Sequence, residues 1–299
     1  MSNIAKSEIS TVRESLWSEF LMLTKHRLTL FVVFSSVMAY LASLQGPVNV
    51  LHCLLLFFGG YCISGASNTI NQILEKDYDK LMKRTANRPL AANRIPVGYA
   101  ILLAGILWLA GILMLGAINI EAMVIGCIAV VLYAFLYTPL KRFSTIAVFI
   151  GAIPGALPLL VGNVAAAGEI NSMGIFLFSI QFVWQFPHFW AIGWMSFDDY
   201  QRAGYKLVAT RDGEIDPMTG IYSAVYALLT IPITVYGFMS GIVNVPVMAI
   251  LIIASIVFAF YGYRLYSVGT KSAAKELLYA SLVHLFICLG SVYIFNWIG

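Results

Sequence analysis

Nine apolar runs, each long enough to cross a bilayer as a helix, leave this chain little sequence with which to build anything else. They fall at about 28–46, 50–70, 97–116, 119–137, 144–163, 172–195, 218–239, 246–267 and 275–297. A hydrocarbon core roughly 30 Å thick is crossed by about 20 helical residues. Lipid offers a bare amide no hydrogen bond, so runs of this length span as helices, which satisfy their own backbone. With 60% hydrophobic and only 11% charged residues among 299, a water-soluble fold is excluded. The expectation is one all-α domain over residues 1–299, a polytopic membrane bundle of about nine transmembrane helices. Residues 1–24 form an N-terminal polar segment, and the loops at 71–96 and 196–217 form a cytoplasmic cap in which chemistry is to be sought.

Charge fixes the orientation. If nine spans alternate, all 18 Lys and Arg residues lie at one end of the bundle, while the opposite loops near Gly46, Gly116, Ala166 and Gly241 carry none. The positive-inside rule assigns the basic end to the cytoplasm, with the N-terminus there and the C-terminus opposite. Of 14 acidic residues only Glu121 and Glu169 fall on the other side. The net charge of +4 therefore reflects topology, and no nucleic-acid partner is expected; the lipid bilayer is the basic end's neighbour. The mixed charges of Met1 to Arg27 do not resemble a cleaved signal peptide. Cys53, Cys62, Cys127 and Cys288 all sit in apolar runs with no CxxC pair, and read as core hydrophobes.

The second apolar run continues without a breaker through NTINQILEKDYD, so its helix is expected to reach Asp79. Asn71, Glu75 and Asp79 are then spaced i, i+4, i+8 and share one face along roughly 12 Å. Hard oxygen ligands in such a stripe suit Mg²⁺ shared with substrate phosphates. Asp77 points elsewhere on an ideal helix, either to serve through water or to offset the charge of Lys76 and Lys80. Downstream, Lys83, Arg84, Arg88 and Arg94 form a basic cluster able to grip diphosphate oxygens. For such residues beside a membrane a solvated loop is the ordinary reading. The full string of Asn71, Glu75, Tyr78, Asp79, Met82, Arg84, Thr85, Arg88 and Asn93 overrides it, because at these spacings it resembles the signature of the UbiA superfamily of intramembrane aromatic prenyltransferases. Glu75 stands where many relatives carry Asp, which lengthens one ligand arm by a methylene.

The second loop begins in QFVWQFPHFWAIGWMSFDDYQRAGYKLV. On a continuous helix His188 and Asp199, 11 residues apart, turn about 1100° and share a face. The PHF…DY segment resembles the heme O synthase branch of the same superfamily, with His188 in the upper position where other relatives carry Asp. Asp199 is the expected metal ligand and Asp198 the second choice, since Asp198 can instead pair with Arg202. An ionisable group inside a span usually lines a functional cavity. His188 has three readings: ligation of heme iron, a hydrogen bond to a propionate, or positioning of water. Tyr200 is the other candidate heme contact. Tyr137 to Lys141 resembles the superfamily's YxxxK motif, which implies Lys141 on the diphosphate with Arg142 assisting. Lys25 is either a further phosphate contact or a snorkelling lysine.

The resemblance covers nearly the whole chain from Lys25 to Trp297. It implies a Mg²⁺-dependent transfer of the farnesyl group of farnesyl diphosphate to a vinyl group of heme b in the bacterial inner membrane. Association with heme A synthase or terminal oxidase assembly would follow. Asn71, Glu75, Asp79, Asp199 and Lys141 are the expected catalytic set, and Arg84, Arg88, Lys141 and Arg142 the diphosphate contacts. Phe182, Trp184, Phe186, Phe189, Trp190 and Trp194 are candidate cavity walls against a prenyl cation. Two other readings share features: a relative acting on a quinone precursor or other aromatic acceptor, and a transporter with interfacial carboxylates.

Overall fold

The computed structural model describes residues 15–298. Lys6, Glu8, Arg13 and Glu14 of the expected N-terminal segment lie outside them. Among the described residues, nine helices are long and apolar enough to cross a membrane: His26–Ser43, Val50–Asp79, Val97–Gly116, Ile120–Leu140, Ala147–Ala167, Ser172–Met195, Met218–Met239, Val245–Val268 and Lys271–Phe295. They are numbered spans one to nine. A short helix, Leu16–Leu23, precedes them with Ser15 accepting from Ser18 N at its start.

Spans one to five pack around Tyr40, Leu56, Ile63, Leu115, Ile125, Leu157 and Val161. Spans six to nine pack around two further clusters, one including Phe176 and Leu251 and the other Trp184 and Phe258. The halves join where span five meets span six and where span nine meets span one. Because lipid is as apolar as leucine, close helix approach rests on small residues more than on burial from water. At Gly162 on span five an added Cβ would collide with the Ser36 carbonyl oxygen of span one, so only a glycine permits this crossing. The outer surface is Leu102, Leu109, Leu113, Ile253, Phe260 and similar side chains, as a lipid-facing surface requires.

Three departures from straight helices shape the end of the bundle where the basic loops lie. Span two runs unbroken for 30 residues, about 45 Å at 1.5 Å per residue, which exceeds the hydrocarbon core and carries Asn71 to Asp79 to the interface. Span four widens to a π-helix over Val131–Tyr137, just before Pro139, whose missing amide would otherwise break the α pattern. Span six ends at Met195. Ser196 (φ −101°, ψ 14°) breaks the path, and Phe197–Ala203 forms a separate short helix. The expected continuous helix joining His188 to Asp199 is therefore not formed, and the two side chains go to different places.

The tip of the second loop is a two-stranded hairpin, Thr210–Arg211 against Glu214–Ile215, turning through Asp212 and Gly213, both at positive φ. Span seven bends at Leu229, before Pro232. The polar links between segments divide the molecule by end. Lys25, the first loop, Lys141, the second loop and Lys271 bond to one another at one end. Asn119, Ser43, Asn163 and Asn171 bond at the other. The basic segments thus converge on a single face, as the charge pattern requires.

Candidate active site

Span two presents one polar face to the bundle, and it is buried throughout: Asn68, Asn71, Gln72, Glu75 and Asp79 are each 5% exposed or less. Two of these residues are structural. Gln72 Nε2 donates to the Met22 and Leu23 carbonyls at 2.8 and 3.0 Å, and Asn68 Nδ2 to Thr24 O at 3.3 Å. These bonds satisfy carbonyls at the end of the Leu16–Leu23 helix. They hold the turn that follows, in which Lys25 adopts the left-handed region (φ 47°, ψ 52°), sparsely populated for a residue with a Cβ. That turn aims Lys25 at the stripe.

The remaining three residues each meet a cation from a different part of the chain. Lys25 Nζ donates to Asn71 Oδ1 at 2.9 Å, Lys141 Nζ to Glu75 Oε1 at 2.9 Å, and Arg88 Nη1 to both Asp79 oxygens at 2.8 Å. The i, i+4, i+8 stripe expected from spacing is thus formed as a row of neutralised oxygens. Burial pulls the Lys25 ammonium well below the ordinary lysine range, with Arg88 and Lys141 adding to the fall and Glu75 and Asp79 opposing it. Burial also works against Lys141, but the Glu75 carboxylate overcomes it and the group ends above its usual value. Lys141 also lies over the Tyr137 ring, 4.4 Å from its centroid.

The π-helix explains how Lys141 arrives there. In its wider turn the Tyr133 carbonyl accepts both the Thr138 amide and, at 2.9 Å, the Thr138 hydroxyl, and that same hydroxyl oxygen accepts from Asn71 Nδ2 at 3.1 Å. Asn71 is therefore fixed from both sides. Sequence reasoning passes over Thr138, and the one signal for it is its place inside the Tyr137 to Lys141 motif. Arg142 stacks over Tyr78 at 4.2 Å, one turn from Glu75 on span two, which holds its guanidinium beside the site. Arg84 is exposed at the site's rim.

The second acidic motif is arranged otherwise than expected. Asp199 accepts from the Lys83 and Arg84 backbone amides, both at 3.3 Å, and from the Arg202 guanidinium. It ties the second loop to the first. Asp198 does not pair with Arg202; it is exposed and bonds Lys271 at 2.6 Å, at the start of span nine. The Lys271 ammonium holds the Asp198 carboxyl below its usual range. Asp77 pairs with Lys80 at 3.0 Å, the offsetting one of its two expected roles. Arg94 is taken up by buried Glu19 and Asn87, away from the stripe.

Among the described residues no three His, Cys, Asp or Glu side chains converge closely enough to hold a metal ion by themselves. Magnesium does not ask for that, since it keeps several waters and takes one or two carboxylates beside substrate phosphates. The donors at the stripe are all oxygens, from Asn71, Glu75 and Asp79, with no sulfur or imidazole among them, and this set fits Mg²⁺.

His188 lies deeper, in span six. Its Nδ1 bonds the Ser281 hydroxyl of span nine at 2.9 Å, and its ring stacks on Trp184 at 4.6 Å, whose indole donates to the Ser281 carbonyl. Tyr200 is buried in the cap against Met82, Ala203 and Tyr205. Of the aromatic candidates on span six, Trp184, Phe186 and Trp194 are buried and the others are partly covered. Phe186 and Trp190 join Phe149, Tyr222 and Tyr226 around a groove of ≈ 340 Å³ between spans five, six and seven.

Residues 32–296 match the model of the UbiA prenyltransferase family. Protoheme IX farnesyltransferase of Flavobacterium johnsoniae is 39% identical over 289 residues, covering 95% of each chain. The enzyme of the same name from Cytophaga hutchinsonii is 40% identical over 272 residues, 91% of this chain and 95% of that one. Two solved structures share the fold at low identity. One, from work on digeranylgeranylglyceryl phosphate synthase in membranes, superposes with a TM-score of 0.78 at 18% identity, covering 94% of this chain and 98% of that one. The other, a UbiA homolog from Archaeoglobus fulgidus bound to DMAPP and Mg²⁺, gives 0.69 at 15%, covering 92% and 99%. By its sequence match over nearly its full length, this multi-pass membrane protein belongs to the UbiA prenyltransferase family.

Proposed function

We propose that the chain transfers the farnesyl group of farnesyl diphosphate to a vinyl group of heme b, with addition of water, to give heme O. The site faces the cytoplasm from a bacterial inner membrane, with the C-terminus on the opposite side. The observation that carries the chemistry is the row of three oxygen-bearing side chains, each paired with its own cation, at the cytoplasmic end of span two. The choice of acceptor is supported by the relatives' shared name.

A bare carboxylate cluster would repel a diphosphate, whereas a neutralised row can exchange partners with it. Asn71, Glu75 and Asp79 would hold Mg²⁺, with Asp199 reaching it from the second loop. When bound, the metal neutralises charge growing on the leaving diphosphate. Lys141 and Arg88, freed from their carboxylates, and Lys25, freed from the Asn71 carboxamide oxygen, then meet diphosphate oxygens without having to leave the site, and Arg84 and Arg142 close over them. This positioning favours charge that is greater in the transition state than in the bound substrate.

Ionisation breaks the bond between C1 of the farnesyl group and the bridging oxygen, and the electron pair leaves with diphosphate. The vinyl π electrons of heme b form the new carbon–carbon bond. Water then adds its oxygen to the resulting cation and loses a proton, leaving a hydroxyethylfarnesyl group. A vinyl acceptor gives up no proton before attack, so the carbon–carbon bond forms without a general base, and the proton released by the adding water passes to solvent water. His188, with Nδ1 engaged by Ser281, leaves Nε2 as the nitrogen that can meet heme or the adding water. The carboxylates stand at one interface rather than at mid-membrane, where a transporter would bind its cargo.

Purified protein incubated with Mg²⁺, labelled farnesyl diphosphate and either heme b or a hydroxybenzoate tests the reading. The expected result is a farnesylated, hydrated heme and an unmodified benzoate. Prenylation of the benzoate alone would sink the proposal and assign the chain to quinone-type acceptors.

A further inference from the structure

One buried polar group at the stripe has no role in the account so far. Tyr205, from the second loop, is 8% exposed, and its hydroxyl lies within reach of the Glu75 carboxylate without closing a hydrogen bond of ordinary geometry to it or to any other protein group. The ring is well held: it packs with Met82, Tyr200 and Ala203, and lies 6.1 Å from the Tyr78 ring and 6.0 Å from that of Tyr200. The backbone is held as firmly. Gly204 (φ 72°) ends the Phe197–Ala203 helix, Tyr205 N donates to Tyr200 O at 2.8 Å, and Lys206 N donates to Lys141 O at 2.7 Å. The second loop is thereby pinned to the very turn that carries Lys141. The charged groups whose fields reach the phenol are the Glu75 and Asp79 carboxylates and the Arg88 guanidinium.

We propose that Tyr205 is a diphosphate-binding residue, its hydroxyl donating to an oxygen of the diphosphate gripped by the stripe. The inference rests on the function proposed above. A buried hydroxyl without a partner is a cost to the folded protein, and phenylalanine would fill the same space at no such cost. Packing therefore accounts for the ring and leaves the oxygen unexplained. A fixed donor, already desolvated and directed at a charged site, loses little on meeting its ligand. A phenol is a hydrogen-bond donor near neutral pH. It meets an anion as a donor. The ligand oxygen it suits is anionic and lies between the carboxylates and the cations, which is where diphosphate stands if the metal takes the former.

The test compares full-length wild type with Tyr205→Phe in detergent, by calorimetric titration with inorganic diphosphate in Mg²⁺ and by thermal unfolding without ligand. The expected variant binds diphosphate about 10-fold more weakly, the loss of one hydrogen bond at about 1.4 kcal/mol, yet melts at or above the wild-type temperature. Equal affinity in the two proteins overturns the assignment. So does weaker binding accompanied by a lower melting temperature, since that would make the hydroxyl part of the scaffold. If wild type itself binds no diphosphate in Mg²⁺, the functional reading fails and this inference with it, an outcome distinct from an unaffected variant.

Discussion

A Lys141→Met variant is expected to lose about 3–5 kcal/mol of stability, because it strands the Glu75 carboxylate in a site where that residue is 5% exposed. Replacing both partners, Lys141→Met with Glu75→Gln, removes the stranded charge and is expected to recover most of that loss. Farnesyl transfer is expected to be abolished in the single and the double variant alike. Denaturant unfolding in detergent, run beside the turnover assay, separates the two effects. A double variant no more stable than Lys141→Met would show that the pair is not coupled as its 2.9 Å contact implies.

Asp199→Ala is the second large effect. Asp199 accepts from the Lys83 and Arg84 amides, so its loss frees the first loop from the second while leaving the stripe on span two intact. Turnover is expected to fall about 100-fold, the penalty that a displacement of about 1 Å can carry. Hydrogen exchange at those two amides is expected to rise. Protection unchanged at both, with turnover lost, would leave Asp199 only its place at the metal and no role in joining the loops.

The features legible in the sequence were those governed by one segment at a time. Span positions followed from run length, and the reach of span two to Asp79 followed from the absence of Gly or Pro across that stretch. The shared face of Asn71, Glu75 and Asp79 is a property of helical spacing. The partners of those residues were less visible, because each comes from a distant segment: Lys25 depends on a left-handed turn held by Asn68 and Gln72, and Lys141 on a π-helix. Neither conformation has a signature in local composition. The same limit explains the second motif. Counting turns placed His188 and Asp199 on one face, but the break at Ser196 re-aims Asp199 toward the first loop and Asp198 toward Lys271. Tyr205 was passed over because an unpartnered hydroxyl exists only in three dimensions.

The direct measurement of the central claim is diphosphate affinity with and without Mg²⁺, in wild type and in Glu75→Gln. If the oxygen stripe and its cations form one metal-dependent diphosphate grip, binding appears only when Mg²⁺ is present and disappears in the variant. Equal binding in a chelator, or in Glu75→Gln, would contradict it.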